Sequence, residues 1–100
     1  LIIDIKRWNN NGRKIQSVVN SDLTNLNLSK YIHGYNKELY IYDLYGVCNH
    51  SGGMSGGHYT ANIKNIDNKW YTFNDTNVSE ISESDIITSK AYCLFYRKIK

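Results

Sequence analysis

Apolar and polar residues alternate with a period of two over several short stretches of this 100-residue chain, separated by clusters of Asn and Gly. Such a pattern predicts strands joined by turns. Leu1–Trp8 is β-branched and half alternating, hence a strand; the polar run at residues 9–12 is a turn, and Lys14–Asn20 returns as a second strand of a hairpin. Leu23, Leu26, Leu28 and Ile32 fall at mixed spacing, which predicts a short helix or an irregular turn. Leu39–Cys48 predicts a long strand with Tyr40, Tyr42, Leu44 and Gly46 on one face. A second hairpin follows from His58–Lys64 and Lys69–Asn74, and Ala91–Lys98 closes the chain as a strand rich in Tyr and Phe. Ser82 with Asp85 three residues on is a capping-box signature, enough for one or two helical turns. The fold class expected is therefore α+β and mostly antiparallel β: one sheet with small helical insertions, a single unit without repeats or linker.

Composition narrows the classes. Hydrophobic residues make up 41%, including two Trp and nine Tyr, so a packed core is expected rather than disorder. A net charge of +3 without a run of like charges gives little attraction to nucleic acid or to a membrane. No apolar stretch approaches a membrane span and no signal-peptide pattern is visible. The two Cys lack C-x-x-C spacing, which implies neither a disulfide framework nor a complete zinc site. Sequons at Asn27, Asn49, Asn74 and Asn77 are read as accidents of an Asn-rich composition. The opening "LIIDIKRW" looks like a strand already under way, so the chain is expected to be part of a larger domain.

The candidate chemistry centres on "NHSGGMSGGHYTANIKN", residues 49–65. Gly52, Gly53, Gly56 and Gly57 require a backbone reason, because glycine is entropically costly to order. His58 follows them at a strand start, and the next strand returns to Phe73-Asn74-Asp75, bringing a carboxamide or a carboxylate toward the imidazole. A histidine oriented by Asn or Asp is the base half of a nucleophilic triad. Residues directly opposite in an antiparallel pair share a face. Placing His58 opposite Asn74 then sets Tyr59 against Phe73 and Ala61 against Tyr71, and requires a hairpin loop of odd length. Cys93, inside "AYCLFY", reads as core, and Cys48 lies within a strand, with no helix dipole to lower its pKa. Neither has the setting of a nucleophile. Cys48, His50 and His58 have the wrong number and spacing for a metal site, and no cofactor is indicated. His50 is expected to hydrogen-bond the glycine loop, and Trp70, Tyr71 and Phe73 to pack in the sheet.

Taken together, "YDLYGVCNHSGGMSGGHYTANIKN", "KWYTFNDTNVSEIS" and "AYCLFYRK" resemble, in order, the C-terminal part of ubiquitin-specific protease catalytic domains, and "LIIDIKRW" is similar to that family's Leu-Lys-Arg-Phe strand. The resemblance covers essentially residues 1–100 and implies the palm-type sheet of a papain-like cysteine protease fold, without its thumb. By position, His58 matches the catalytic base, Asn74 the third triad member and Asp75 the acidic residue beside it. Residues 49–57 and 8–14 match loops that flank the ubiquitin tail, which makes His50, Gly56, Gly57 and Tyr59 the expected substrate contacts. The family's cysteine box and the Cys pairs of its zinc-binding fingers do not occur in this sequence. The implied function is a thiol protease cutting the isopeptide or peptide bond after ubiquitin's C-terminal glycine. Its partners are ubiquitin and ubiquitinated proteins, in cytoplasm or nucleus, and its nucleophile lies upstream. The alternative is a catalytically inactive ubiquitin-binding module or scaffold.

Overall fold

A computed structural model describes residues 1–8, 14–15, 17–31, 40–52 and 56–99. Among these residues seven strands form one antiparallel sheet: β1 (Ile2–Asp4), β2 (Leu26–Asn27), β3 (Ile41–Ser51), β4 (His58–Lys64), β5 (Trp70–Asn74), β6 (Asn77–Ile81) and β7 (Ala91–Lys98). The strand order is β1-β7-β3-β4-β5-β6, with β2 pairing on β3. The chain's C-terminal strand thus lies inside the sheet, between β1 and β3.

Alternation divides the sheet into two faces. Ile3, Leu94, Val47, Asn62 and Thr72 stand in one cross-strand row, and this face carries the core of Leu44, Val47, Ile86, Ala91, Leu94 and Tyr96. Ile86 reaches the core from the segment between β6 and β7 and is fully buried. Asn62, on β4, holds that segment: its amide donates to Ile86 O at 2.9 Å, while its carbonyl accepts from Thr72 Oγ1 at 2.7 Å. Buried polar atoms paired in this way avoid the desolvation cost of an orphan. Ile86→Ala is expected to cost about 2–5 kcal/mol, the usual range for a large-to-small core change. Urea denaturation of the full-length protein followed by tryptophan fluorescence measures it.

Two irregularities set the phase of the central strands. Leu44 pairs with Tyr96 but Gly46 pairs with Phe95, so Tyr45 is an extra residue, a bulge. A bulge reverses which face later residues occupy. Leu44 and Val47 therefore share the core face, and Gly46 lies opposite the face expected for it beside Leu44. A second shift, between Cys48↔Cys93 and Asn49↔Ala91, leaves Tyr92 of β7 without a partner on β3, while its carbonyl accepts from Ile5 N–H at 2.8 Å.

Several boundaries differ from expectation. Only Ile2–Asp4 of the first strand is laddered, and of Lys14–Asn20 the described residues keep a single bridge, Trp8↔Lys14. Val18 and Val19 are exposed there and gain nothing from a ladder. The turn expected at residues 9–12 lies outside the described residues, as does Leu39. Ile32 lies outside the described residues; from Leu23 to Tyr31 the regular pieces are β2 and a 3-10 turn, Ser29–Tyr31. Ser82 has extended backbone angles but no side-chain cap; its hydroxyl bonds Asp85 Oδ2 at 3.0 Å, and one 3-10 turn, Glu83–Asp85, replaces the expected helix. Strand β6 was not anticipated at all. Its residues are almost all exposed, so they leave no apolar stripe to read.

Candidate active site

The β4–β5 hairpin has the expected parity and a different register. Ala61 faces Phe73 and Lys64 faces Trp70, two residues displaced from the register that sets His58 against Asn74. The loop 65–69 is odd in length and closed by Asn68 N–H to Asn65 O and Asn65 N–H to Lys69 O, both 2.9 Å. Because the displacement is even, His58 and Asn74 still share a face, as diagonal rather than direct neighbours. Diagonal pairs are separated by roughly 7–8 Å at the backbone, so the distal ring nitrogen makes the contact. His58 Nε2 lies 2.6 Å from Asn74 Oδ1. Asn74 Oδ1 only accepts, so Nε2 carries the hydrogen and Nδ1 the free lone pair. Both residues are exposed at the end of the sheet.

Asp75 begins the two-residue connection from β5 to β6 with φ +53. Asp is among the few non-glycine residues that tolerate this left-handed region, so the turn itself gives a structural reason for the residue. Its carboxylate has no hydrogen bond or ion pair among the described residues.

Tyr59 points away from His58, as successive strand residues must. With Ile5, Arg7, Trp8, Lys14, His50, Gly56, Gly57 and Tyr92 it lines a cleft of about 470 Å³ on the other face. The expected contacts His50, Gly56, Gly57 and Tyr59 are thereby brought together. His58 stands just beyond them, at the end of the same strand. The His50 and Tyr59 rings lie 4.7 Å apart, and Tyr92, released by its bulge, meets Tyr59 edge-on at 6.0 Å.

The glycines now have local causes. Gly57 has φ +148, and a Cβ there would sit 2.3 Å from His50 Nε2 and 2.5 Å from Ser51 O. Gly52, with φ +108, packs against Gly57: a Cβ on it would lie 2.8 Å from Gly57 Cα. These two positions are bare because the protein's own backbone and His50 occupy the space. Gly56 instead opens onto free space, with nothing within 4 Å of its Cβ position. Residues 53–55 of the loop lie outside the described residues.

Sequence reasoning missed Arg7 and Tyr92 as cleft residues. Arg7 is buried, donating through Nε to Ala91 O at 2.7 Å and through Nη1 to the carbonyls of Ile15 and Ser17. Burial lowers its pKa from the ordinary value. Its Nη2 is buried without a partner among the described residues. A buried arginine is not legible from a strand pattern, and a bulge leaves no sequence signal that would single out Tyr92.

Both cysteines are free thiols, paired across β3 and β7. Cys93 is 7% exposed; burial, then its bond to the Asp4 carboxylate, push the thiol up to about 11. It is protonated at neutral pH and unsuited to attack. Iodoacetamide is expected to leave Cys93 of the folded protein unmodified at pH 7.5, with labelling rising only as pH nears that value or on unfolding. Cys48 lies within the central strand β3, where no helix dipole is available to activate its thiol. Among the described residues no group of His, Cys, Asp or Glu is arranged to hold a metal ion.

A profile of the ubiquitin carboxyl-terminal hydrolase family matches residues 1–96. The chain belongs to that family. It is 52% identical over 88 residues to Ubiquitin carboxyl-terminal hydrolase 10 of Arabidopsis thaliana, covering 87% of this chain and 10% of the relative. It is 40% identical over 124 residues to Ubiquitin carboxyl-terminal hydrolase 31 of Homo sapiens, covering 98% of this chain and 9% of the relative. The chain thus spans about a tenth of the length of these relatives. Among solved structures it superposes on the Ubp8-Sgf11-Sgf73-Sus1 SAGA DUB module with a TM-score of 0.85 at 32% identity, over 100% of this chain and 24% of that one. A form of that module bound to ubiquitin aldehyde gives 0.84 at 30% identity, over 99% of this chain and 24% of that one. The antiparallel sheet matches part of the papain-like fold of these ubiquitin carboxyl-terminal hydrolases.

Proposed function

We propose that residues 1–100 are the palm portion of a deubiquitinating cysteine protease that hydrolyses the bond after ubiquitin's C-terminal glycine, with a nucleophilic cysteine supplied from elsewhere in the protein. The observation that carries this reading is the 2.6 Å pairing of His58 with Asn74 at the end of β4, beside a cleft with bare backbone at Gly56. Family membership supports it, as does likeness to a module bound to ubiquitin aldehyde.

In this reading the ring nitrogen left free by Asn74 takes the proton of the attacking thiol. The thiolate adds to the scissile carbonyl, and the imidazolium returns the proton to the departing amine. The same nitrogen then deprotonates the water that hydrolyses the thioester. Asn74 fixes the tautomer through its carbonyl but, being neutral, gives the imidazolium only a dipole. Asp75, next in the chain, adds negative field or orders water near the developing oxyanion. The cleft on the Tyr59 face receives the extended ubiquitin tail. Ubiquitin conjugates as substrates imply work in the cytoplasm or nucleus.

Full-length protein incubated with ubiquitin carrying a fluorogenic C-terminal amide is expected to release the fluorophore. Ubiquitin binding without release would establish the scaffold instead.

A further inference from the structure

We infer that Lys14 is a positioning residue that fixes the tautomer of His50, making the Nε2 edge of that ring a hydrogen-bond donor toward a backbone carbonyl of the substrate tail; this rests on the functional reading above. Lys14 Nζ lies 3.0 Å from His50 Nδ1, 2.8 Å from His50 O and 3.4 Å from Gly52 O. An ammonium has three hydrogens and no acceptor, so Nδ1 must accept and the neutral ring's hydrogen sits on Nε2. The ring has no freedom to reverse this. Tyr59 lies against one side of it, and Gly57 presses on its Nε2 edge so closely that a Cβ there would overlap.

His50 is 9% exposed, lines the cleft, and has no acceptor for its Nε2 hydrogen among the described residues. An extended peptide in the cleft presents a carbonyl with each residue, and such an acceptor satisfies the hydrogen. With Lys14 removed, the ring can place its hydrogen on Nδ1. Nε2 then turns a lone pair toward the carbonyl, and the contact becomes repulsive. The contact lies away from the reacting atoms, so its loss raises KM and leaves kcat nearly unchanged.

The test uses the full-length protein and the fluorogenic ubiquitin amide. Lys14→Met is expected to raise KM roughly 5- to 20-fold, the scale of one lost hydrogen bond plus the repulsion that replaces it. Lys14→Arg, which keeps a donor, should stay within about 3-fold. In a His50→Ala background, Lys14→Met should change KM by less than about 2-fold, because its effect runs through the ring. An equal loss in both backgrounds makes Lys14 a tie between loop carbonyls and overturns the inference, as does a Lys14→Met protein without a cooperative melting transition. A long-range proton–nitrogen spectrum of ¹⁵N-histidine-labelled protein, with His50 assigned from its loss in His50→Ala, reads the tautomer without any hydrolysis. It should show Nε2 protonated, and in Lys14→Met the Nδ1 form should emerge. This arm still decides the tautomer if the protein proves not to be a hydrolase. A spectrum unchanged by Lys14→Met overturns the assignment.

Discussion

Replacing His58 with alanine in the full-length protein is expected to lower turnover of a ubiquitin amide by roughly 10²- to 10⁴-fold, the scale of a lost general base. Among the described residues no other group is placed to take over. Nε2 of His58 is the atom 2.6 Å from Asn74 Oδ1, and the other histidine whose surroundings are described, His50, is 9% exposed on the opposite face and tied to Lys14. Asn74→Ala should cost less, about 10- to 10²-fold, because it frees the tautomer and orientation without removing the base. Asn74→Asp keeps the acceptor and adds a charge beside the imidazolium, so it should retain more activity than Asn74→Ala. Steady-state kinetics on the three variants checks the order. Equal losses in His58→Ala and Asn74→Ala would mean that the pair acts as a structural clasp rather than as base and holder.

The second large effect is expected at Gly57. Gly57→Ala places a Cβ against two groups that cannot yield cheaply: the ring of His50, held by Lys14 and Tyr59, and the backbone carbonyl of Ser51. The backbone angle, φ +148, adds strain for any L side chain. Overpacking of this kind costs about 1–3 kcal/mol and strained backbone about as much again. The hairpin between β3 and β4 must shift, carrying His50 and Tyr59 with it. The kcat/KM value should fall roughly 10²-fold or more, since even a 1 Å displacement can cost that much. Gly56→Ala is the contrast, with open space around it and no positive φ recorded. Its melting temperature should match that of the unmodified protein, while that of Gly57→Ala falls.

Much of this arrangement was legible in the sequence, for identifiable reasons. Strands β4 and β7 fall on their expected bounds because β4 alternates cleanly, β7 is a continuous apolar run, and each meets Gly or polar residues at its ends. The shared face of His58 and Asn74 followed from parity alone, which survives any even displacement of register. The displacement itself was not readable: loop 65–69 is set by Asn68 adopting φ +63 and by Asp67 accepting from Lys69 N–H and Tyr71 OH. The bulge at Tyr45 hid the face of Gly46, since period-two counting assumes an unbroken ladder. Lys14 was placed in a loop beside the substrate path, yet its hold on His50 joins residues 36 apart in sequence. Burial of Arg7 likewise depends on the carbonyls of Ala91, Ile15 and Ser17 meeting around it.

The most direct test of a palm whose nucleophile lies elsewhere is to trap that nucleophile. Full-length protein treated with ubiquitin bearing a thiol-reactive C-terminal electrophile is digested, and the modified residue is identified by mass spectrometry. A single adduct is expected on a cysteine outside residues 1–100, forming much more slowly in His58→Ala. An adduct on Cys48 or Cys93, or ubiquitin bound without any adduct, would contradict the assignment.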